Sequence, residues 1–145
     1  MAFSGNFMCT SFKQQLLQGV HNFTNGTGNT FKLAMYTNNA SFTAATTAYT
    51  TTDEVTASGS YSAGGGTLTN VTPTSSGTTA FTDFDDLSFT TATITAYGAL
   101  IYNSSATGNP TCVVLDFGGA KTSTSGTFQI IFPAATSSDA IIRIA

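Results

Sequence analysis

The segment Thr91–Gly119 constrains the fold more than any other part of the chain. It reads TATITAYGALIYN, then SSATGNP, then TCVVLDFGG. In the first part Ile94, Ala96, Gly98, Leu100 and Tyr102 share one parity, with Thr93, Thr95, Tyr97, Ala99 and Ile101 on the other. Alternation of this kind sends side chains to opposite faces of a sheet. Cys112 to Phe117 is almost wholly apolar, the pattern of a strand buried on both faces. Between them Thr107-Gly108-Asn109-Pro110 supplies residues that reverse a chain. Two strands joined by a turn result, and the remainder reads as further sheet packed on this pair.

Upstream, Ser11–Gln18 is the one helix the pattern predicts. Thr10 or Ser11 can cap it, Gln14 lies near the capping-box position, and Gly19 can end it. Phe12, Leu16 and Leu17 form its apolar stripe. A helix this short needs a docking surface, either its own sheet or a partner. Residues 21–29 are turn-rich. Thr30–Thr37 predicts a strand with Phe31, Leu33 and Met35 on one face and Lys32 and Tyr36 on the other. Ala40–Thr52, with Phe42 and Tyr49 as anchors, reads as a weak strand or an ordered surface loop, the loop being favoured. Gly64-Gly65-Gly66 implies a sharp bend or a close backbone approach. Further strands are expected at Thr67–Pro73, Ala80–Phe84, Leu87–Phe89, Thr127–Phe132 and Ala140–Ile144, with turns at 74–78 and 118–126. Seven or eight strands at near-regular spacing predict an all-β, single-domain antiparallel β-sandwich or jelly roll with one short N-terminal helix. Residues 1–30 form an N-terminal arm of the same unit, and 31–145 the sandwich.

Composition narrows the function classes. Charged residues are 8% of the 145 residues, against about 25% in an ordinary domain, so the surface is built from Thr, Ser, Asn, Gly and Ala. Such a surface does little to keep copies apart, and covering by neighbouring copies or a larger assembly is expected. The net charge of −3 and the scattered Lys13, Lys32, Lys121 and Arg143 argue against a nucleic-acid surface, which clusters its cations. No apolar run approaches the roughly 20 residues of a membrane span, and MAFSGNFMCT lacks a leader's basic start and apolar stretch. A cytoplasmic site of synthesis is expected. Cys9 and Cys112 could form one bridge, but in that compartment free thiols are expected.

The chemistry-bearing residues are few. His21 is the only histidine and has no nearby partner for catalysis or metal binding, so a loop or helix-end role is expected. Asp83, Asp85 and Asp86 form the one acidic cluster. Calcium is conceivable there, but the loop lacks the EF-hand pattern, and carboxylates capping a turn are commoner. Asp116-Phe117-Gly118 spells a kinase triplet without the accompanying motifs, and Gly119-Ala120-Lys121-Thr122 lacks the P-loop spacing. No catalytic, cofactor-binding or metal residues are assigned, no cofactor is expected, and the chain reads as non-enzymatic.

Four blocks in series carry a family resemblance: FKLAMYTNNASF (31–42), TTDEVTASGSYSAGGG (51–66), ATITAYGALIYN (92–103) and VVLDFGGAKTSTSGTFQIIFP (113–133). Together they resemble a family of small virion structural proteins of tailed bacteriophages, including phages of cyanobacteria. The resemblance implies a capsid cement or decoration protein: a β-rich module on the outer head shell, often a homotrimer, whose partners are the major capsid protein and its own copies. It implies no site residues. Contacts are expected from Met1–Gly19 and from Ala40–Thr52, and removing Met1–Thr10 is expected to weaken capsid binding while leaving the sheet folded. The other classes are a tail, neck or fibre component, and a carbohydrate-binding jelly roll that would stack sugars on Tyr36, Tyr49 or Tyr61; for those tyrosines core or interface packing is the favoured expectation.

Overall fold

The computed structural model describes residues 3–145. The elements are β1 (Phe7–Met8), α1 (Thr10–Leu17), β2 (Phe31–Tyr36), β3 (Gly66–Thr67), β4 (Asn70–Ser76), β5 (Thr79–Phe84), β6 (Leu87–Asn103), β7 (Thr111–Ile130) and β8 (Ile142–Ile144). They form two antiparallel sheets, β1-β7-β6-β2-β3 and β4-β5-β8, an all-β sandwich-like arrangement with one short helix.

The β6–β7 hairpin is the spine. Its strands run 17 and 20 residues, three times the usual length of about 5–6. The separate Leu87–Phe89 strand expected from the sequence is the start of β6, and the turn expected at 118–126 lies within β7. Bulges let the ladder pass through both regions. Opposite Ala96–Gly98, β7 uses the longer stretch Asp116–Lys121, with Gly118 at φ 70° and Gly119 at φ 129°. Glycines that signal a turn in sequence thus supply an irregularity in a continuing strand.

Along β6 burial alternates from Ala92 to Gly98, then becomes continuous to Asn103. The distal half of the hairpin therefore shows one face to water, while the half carrying Leu100, Ile101, Cys112 and Val114 is covered on both faces. A side chain at Gly98 would meet the Phe3 ring and lie 2.5 Å from the Leu115 carbonyl oxygen. Phe3, 3% exposed, fills that space instead.

That contact corrects the expectation for the N-terminus. β1 pairs with Val113 and Val114 of β7, and Phe3, Cys9 and Phe12 lie in the core. Loss of residues 3–10 would open the hydrophobic core, so the expected removal without harm to the sheet does not hold; Met1 and Ala2 lie outside the described residues. The helix docks on its own sheet through Phe12, which packs edge-on against Phe23 at 6.0 Å, while Leu17 points outward, 92% exposed. Its N-cap is Cys9, with no side-chain cap, rather than Thr10 or Ser11.

The strand expected at Thr67–Pro73 is divided between the sheets: Gly66–Thr67 forms β3 of the larger sheet, and β4 of the smaller sheet begins at Asn70. β4 continues beyond Pro73 to Ser76, and a ladder shift between Val71 and Thr74 accommodates the proline, which cannot donate to a regular ladder. Ser76 then pairs with Thr79 across Gly77, at φ 59°, a tight hairpin suited to glycine. Residues 40–52 form an irregular loop, as expected, anchored by Phe42 against Tyr36 at 4.6 Å.

Candidate functional site

Three polar clusters and one open strand edge stand out among the described residues. The first cluster follows from the glycine bend. Gly65, at φ 79°, sits so close to Leu33 that any side chain would overlap its carbonyl. The bend delivers Gly64 to Glu54, whose carboxylate accepts hydrogen bonds from Gly64 N (2.8 Å), Tyr61 Oη (2.7 Å) and Tyr49 Oη (2.7 Å). Tyr61 Oη accepts in turn from Met35 N at 2.9 Å, and Tyr102 Oη donates to Gly64 O at 2.6 Å. Tyr49 stacks on Tyr102 at 4.5 Å, and Tyr36 Oη donates to Thr50 O at 2.7 Å. Burial, assisted by the nearby Glu54 charge, raises the phenols of Tyr36 and Tyr61 far above their ordinary value, and pushes Tyr102 up to about 12. With Tyr36 and Tyr61 in the core and Tyr49 held by Glu54, these rings tie a loop to the sheet; the two buried rings offer no face to a sugar.

The second cluster surrounds His21. The sequence gives this residue no partner, yet the fold supplies several. Asn103 Nδ2 donates to Nδ1 at 3.0 Å, which places the proton on Nε2, facing Gln15 Oε1 at 2.8 Å. Burial lowers the imidazole pKa, and both ring nitrogens have partners. Cys112 Sγ is 3.9 Å from Nδ1. Cysteine, histidine and asparagine are the residue types of a thiol acyl-transfer site, but the arrangement cannot act as one. Nδ1 is already occupied by the asparagine amide, Cys112 is wholly buried, and burial drives its thiol upward, away from thiolate. The spacing of His21 from Asn103 and Cys112, more than 80 positions, left no signal in the sequence.

The third cluster is the acidic corner. Asp83 is 1% exposed and accepts from Phe84 N (2.8 Å) and Ile141 N (3.2 Å). Asp86 accepts from Phe132 N at 2.8 Å, and Asp85 is exposed. Only the Asp83–Phe84 bond is local to the turn; Asp83 and Asp86 otherwise tie it to the distant Ile141 and Phe132, a cross-linking role rather than the turn capping expected. Among the described residues no group of three or more His, Cys, Asp or Glu side chains gathers to hold a metal.

The open edge belongs to β7. On its outer side β1 pairs only with Val113 and Val114, and Asn6 Oδ1 accepts from Asp116 N at 2.7 Å. Beyond Asp116, no strand among the described residues pairs with that side. Lys121 is the sole charged side chain from Phe117 to Ile131. The bent strand bounds a shallow groove of about 490 Å³, lined by residues such as Phe117, Lys121, Phe128, Gln129 and Ile131, and Ile131 is 72% exposed. No helix of the described residues is long and apolar enough to cross a membrane. Compared with protein-family models, with curated proteins and with solved structures, the chain finds no match in any of the three.

Proposed function

We propose that the protein is a structural component of a tailed-phage virion, a cement or decoration protein that binds between neighbouring major capsid protein subunits on the outer head shell, as a homotrimer. The observation that carries this reading is the outer edge of β7 beyond Asp116, which no strand among the described residues pairs with, and which has one charged side chain between Phe117 and Ile131. Free sheet edges normally carry charges, prolines or coverings that prevent pairing. A long edge guarded only by Lys121 and by its bulges is suited to cover by another chain, through backbone hydrogen bonds. The charge-poor surface supports the same reading, because little charge is desolvated when it is buried. The four-block resemblance supplies the particular assembly. The contacts expected from the N-terminal region move, on this reading, to the β7 edge, since Phe3, Cys9 and Phe12 of that region are taken up by the core.

Reconstitution tests it. Heads assembled without the protein are mixed with wild type and with a Thr127→Lys, Gln129→Lys variant, which places two cations on exposed edge positions. Wild type should bind saturably, and the variant, equally folded by circular dichroism, should lose on the order of tenfold in affinity, about 1.4 kcal/mol. Failure of wild type to bind would refute the shell role; unchanged binding of the variant would refute the edge.

A further inference from the structure

The two cysteines meet across the junction of β1 and β7. Met8 pairs with Val113, so the antiparallel register carries Cys9 to the position opposite Cys112, and Cys9 N donates to Cys112 O at 3.0 Å. One bond of a hydrogen-bonded antiparallel pair is made here; such pairs have Cα atoms about 5.5 Å apart, inside the roughly 4.4–6.8 Å that a disulfide spans. Both thiols are free, and both residues have no solvent exposure. We propose that Cys9 and Cys112 form a redox site that closes to an intramolecular disulfide when the protein meets a small-molecule disulfide oxidant.

The chemistry balances with that oxidant alone. Cys9, freed when the two-residue edge strand β1 opens, loses its proton and attacks one sulfur of the oxidant. A mixed disulfide forms and one small thiolate leaves. Cys112 then loses its proton and attacks Cys9 Sγ, breaking the mixed disulfide and releasing the second small thiolate. The two protein thiols give up two electrons and two protons, and the oxidant becomes two thiols. Burial holds Cys9 up to about 11, with nearby Lys13 drawing it down, so closure waits on local opening and is slow. The product ties the N-terminal segment to the central hairpin and encloses the chain from Cys9 to Cys112 in one loop. The inference does not depend on the virion role: a reducing cytoplasm keeps the pair open, and any oxidising exterior lets it close.

Purified protein is incubated with oxidised glutathione at mildly alkaline pH and mapped by peptide mass spectrometry without reduction. The expected product is a monomer lighter by two hydrogens, with the Cys9 and Cys112 peptides linked. Its melting temperature should rise by on the order of 10 °C, and dithiothreitol should reverse both changes. Cys9→Ala and Cys112→Ala should each abolish the rise. Stable glutathione adducts at both cysteines, linkage between two molecules, or unreacted wild type would each overturn the proposal, and the wild-type map decides even if a variant folds poorly.

Discussion

Glu54→Ala probes the network that fastens the 53–66 loop to the larger sheet. The substitution removes the acceptor of three hydrogen bonds, from Gly64 N, Tyr61 Oη and Tyr49 Oη. Tyr49 is half-buried, so water replaces much of what it loses. Tyr61 is 1% exposed and Gly64 is buried, and each is left with an unpaired donor at about 1–3 kcal/mol. Relief of the half-buried carboxylate's own desolvation offsets part of that sum, leaving a destabilisation of about 3 kcal/mol. Urea unfolding followed by circular dichroism should show a lower midpoint at unchanged slope. The melting temperature should fall by on the order of 10 °C. Glu54→Gln, which keeps one acceptor oxygen and the shape, should cost about 1 kcal/mol. Tyr61→Phe removes the same bond from its other end, and the double-mutant cycle should return a coupling of about 1 kcal/mol or more. If Glu54→Ala unfolds within about 0.5 kcal/mol of wild type, as a neutral surface change does, the network does not stabilise the fold.

Gly98→Ala should destabilise by about 3 kcal/mol in the same assay, because the added methyl meets the Phe3 ring and the Leu115 carbonyl, and the backbone cannot yield. Thr111→Val should stabilise by about 1 kcal/mol, since the Thr111 hydroxyl is fully buried without a partner and valine has its shape; a loss would show that the hydroxyl is satisfied. Alkaline pH should act through Tyr36 and Tyr61, whose folded pKa values are raised chiefly by burial. Their contribution is complete below the unfolded value near 10 and declines above it, by up to about 1.4 kcal/mol per pH unit for each. Tyrosinate absorbance should therefore appear together with cooperative unfolding; ionisation of these two rings within an intact fold would contradict the packing.

The fold was legible where periodicity spoke for local geometry. Alternation from Thr91 to Asn103 identified β6, and the apolar run after Pro110 identified a strand buried on both sides. Gly64-Gly65-Gly66 pointed to the close backbone approach that Gly65 makes to Leu33. Legibility failed where one local signal serves two geometries. Gly118 and Gly119 have the composition of a turn, yet a bulge inside a continuing strand demands the same positive φ. Pro73 likewise reads as a strand end, while an irregular ladder carries the strand past it. The polar clusters were less legible still. Glu54 and Tyr61 are close in sequence, but Tyr102 joins them only through the sheet. His21 finds Asn103 and Cys112 from the far end of the hairpin, and no spacing rule announces such a meeting. Even the free edge of β7 is a property of topology, since a sequence does not show which strand lacks a neighbour.

The central claim, membership of the head shell, is tested most directly by counting copies. On the proposed phage origin, virions of the phage whose genome carries this sequence are purified, and the chain's peptides are quantified by mass spectrometry against those of the major capsid protein. The account predicts a copy number comparable with that of the capsid protein, unchanged when loosely bound material is washed away with salt. A small, ring-like number would move the protein to the neck or tail, and absence from the particle would contradict the account altogether.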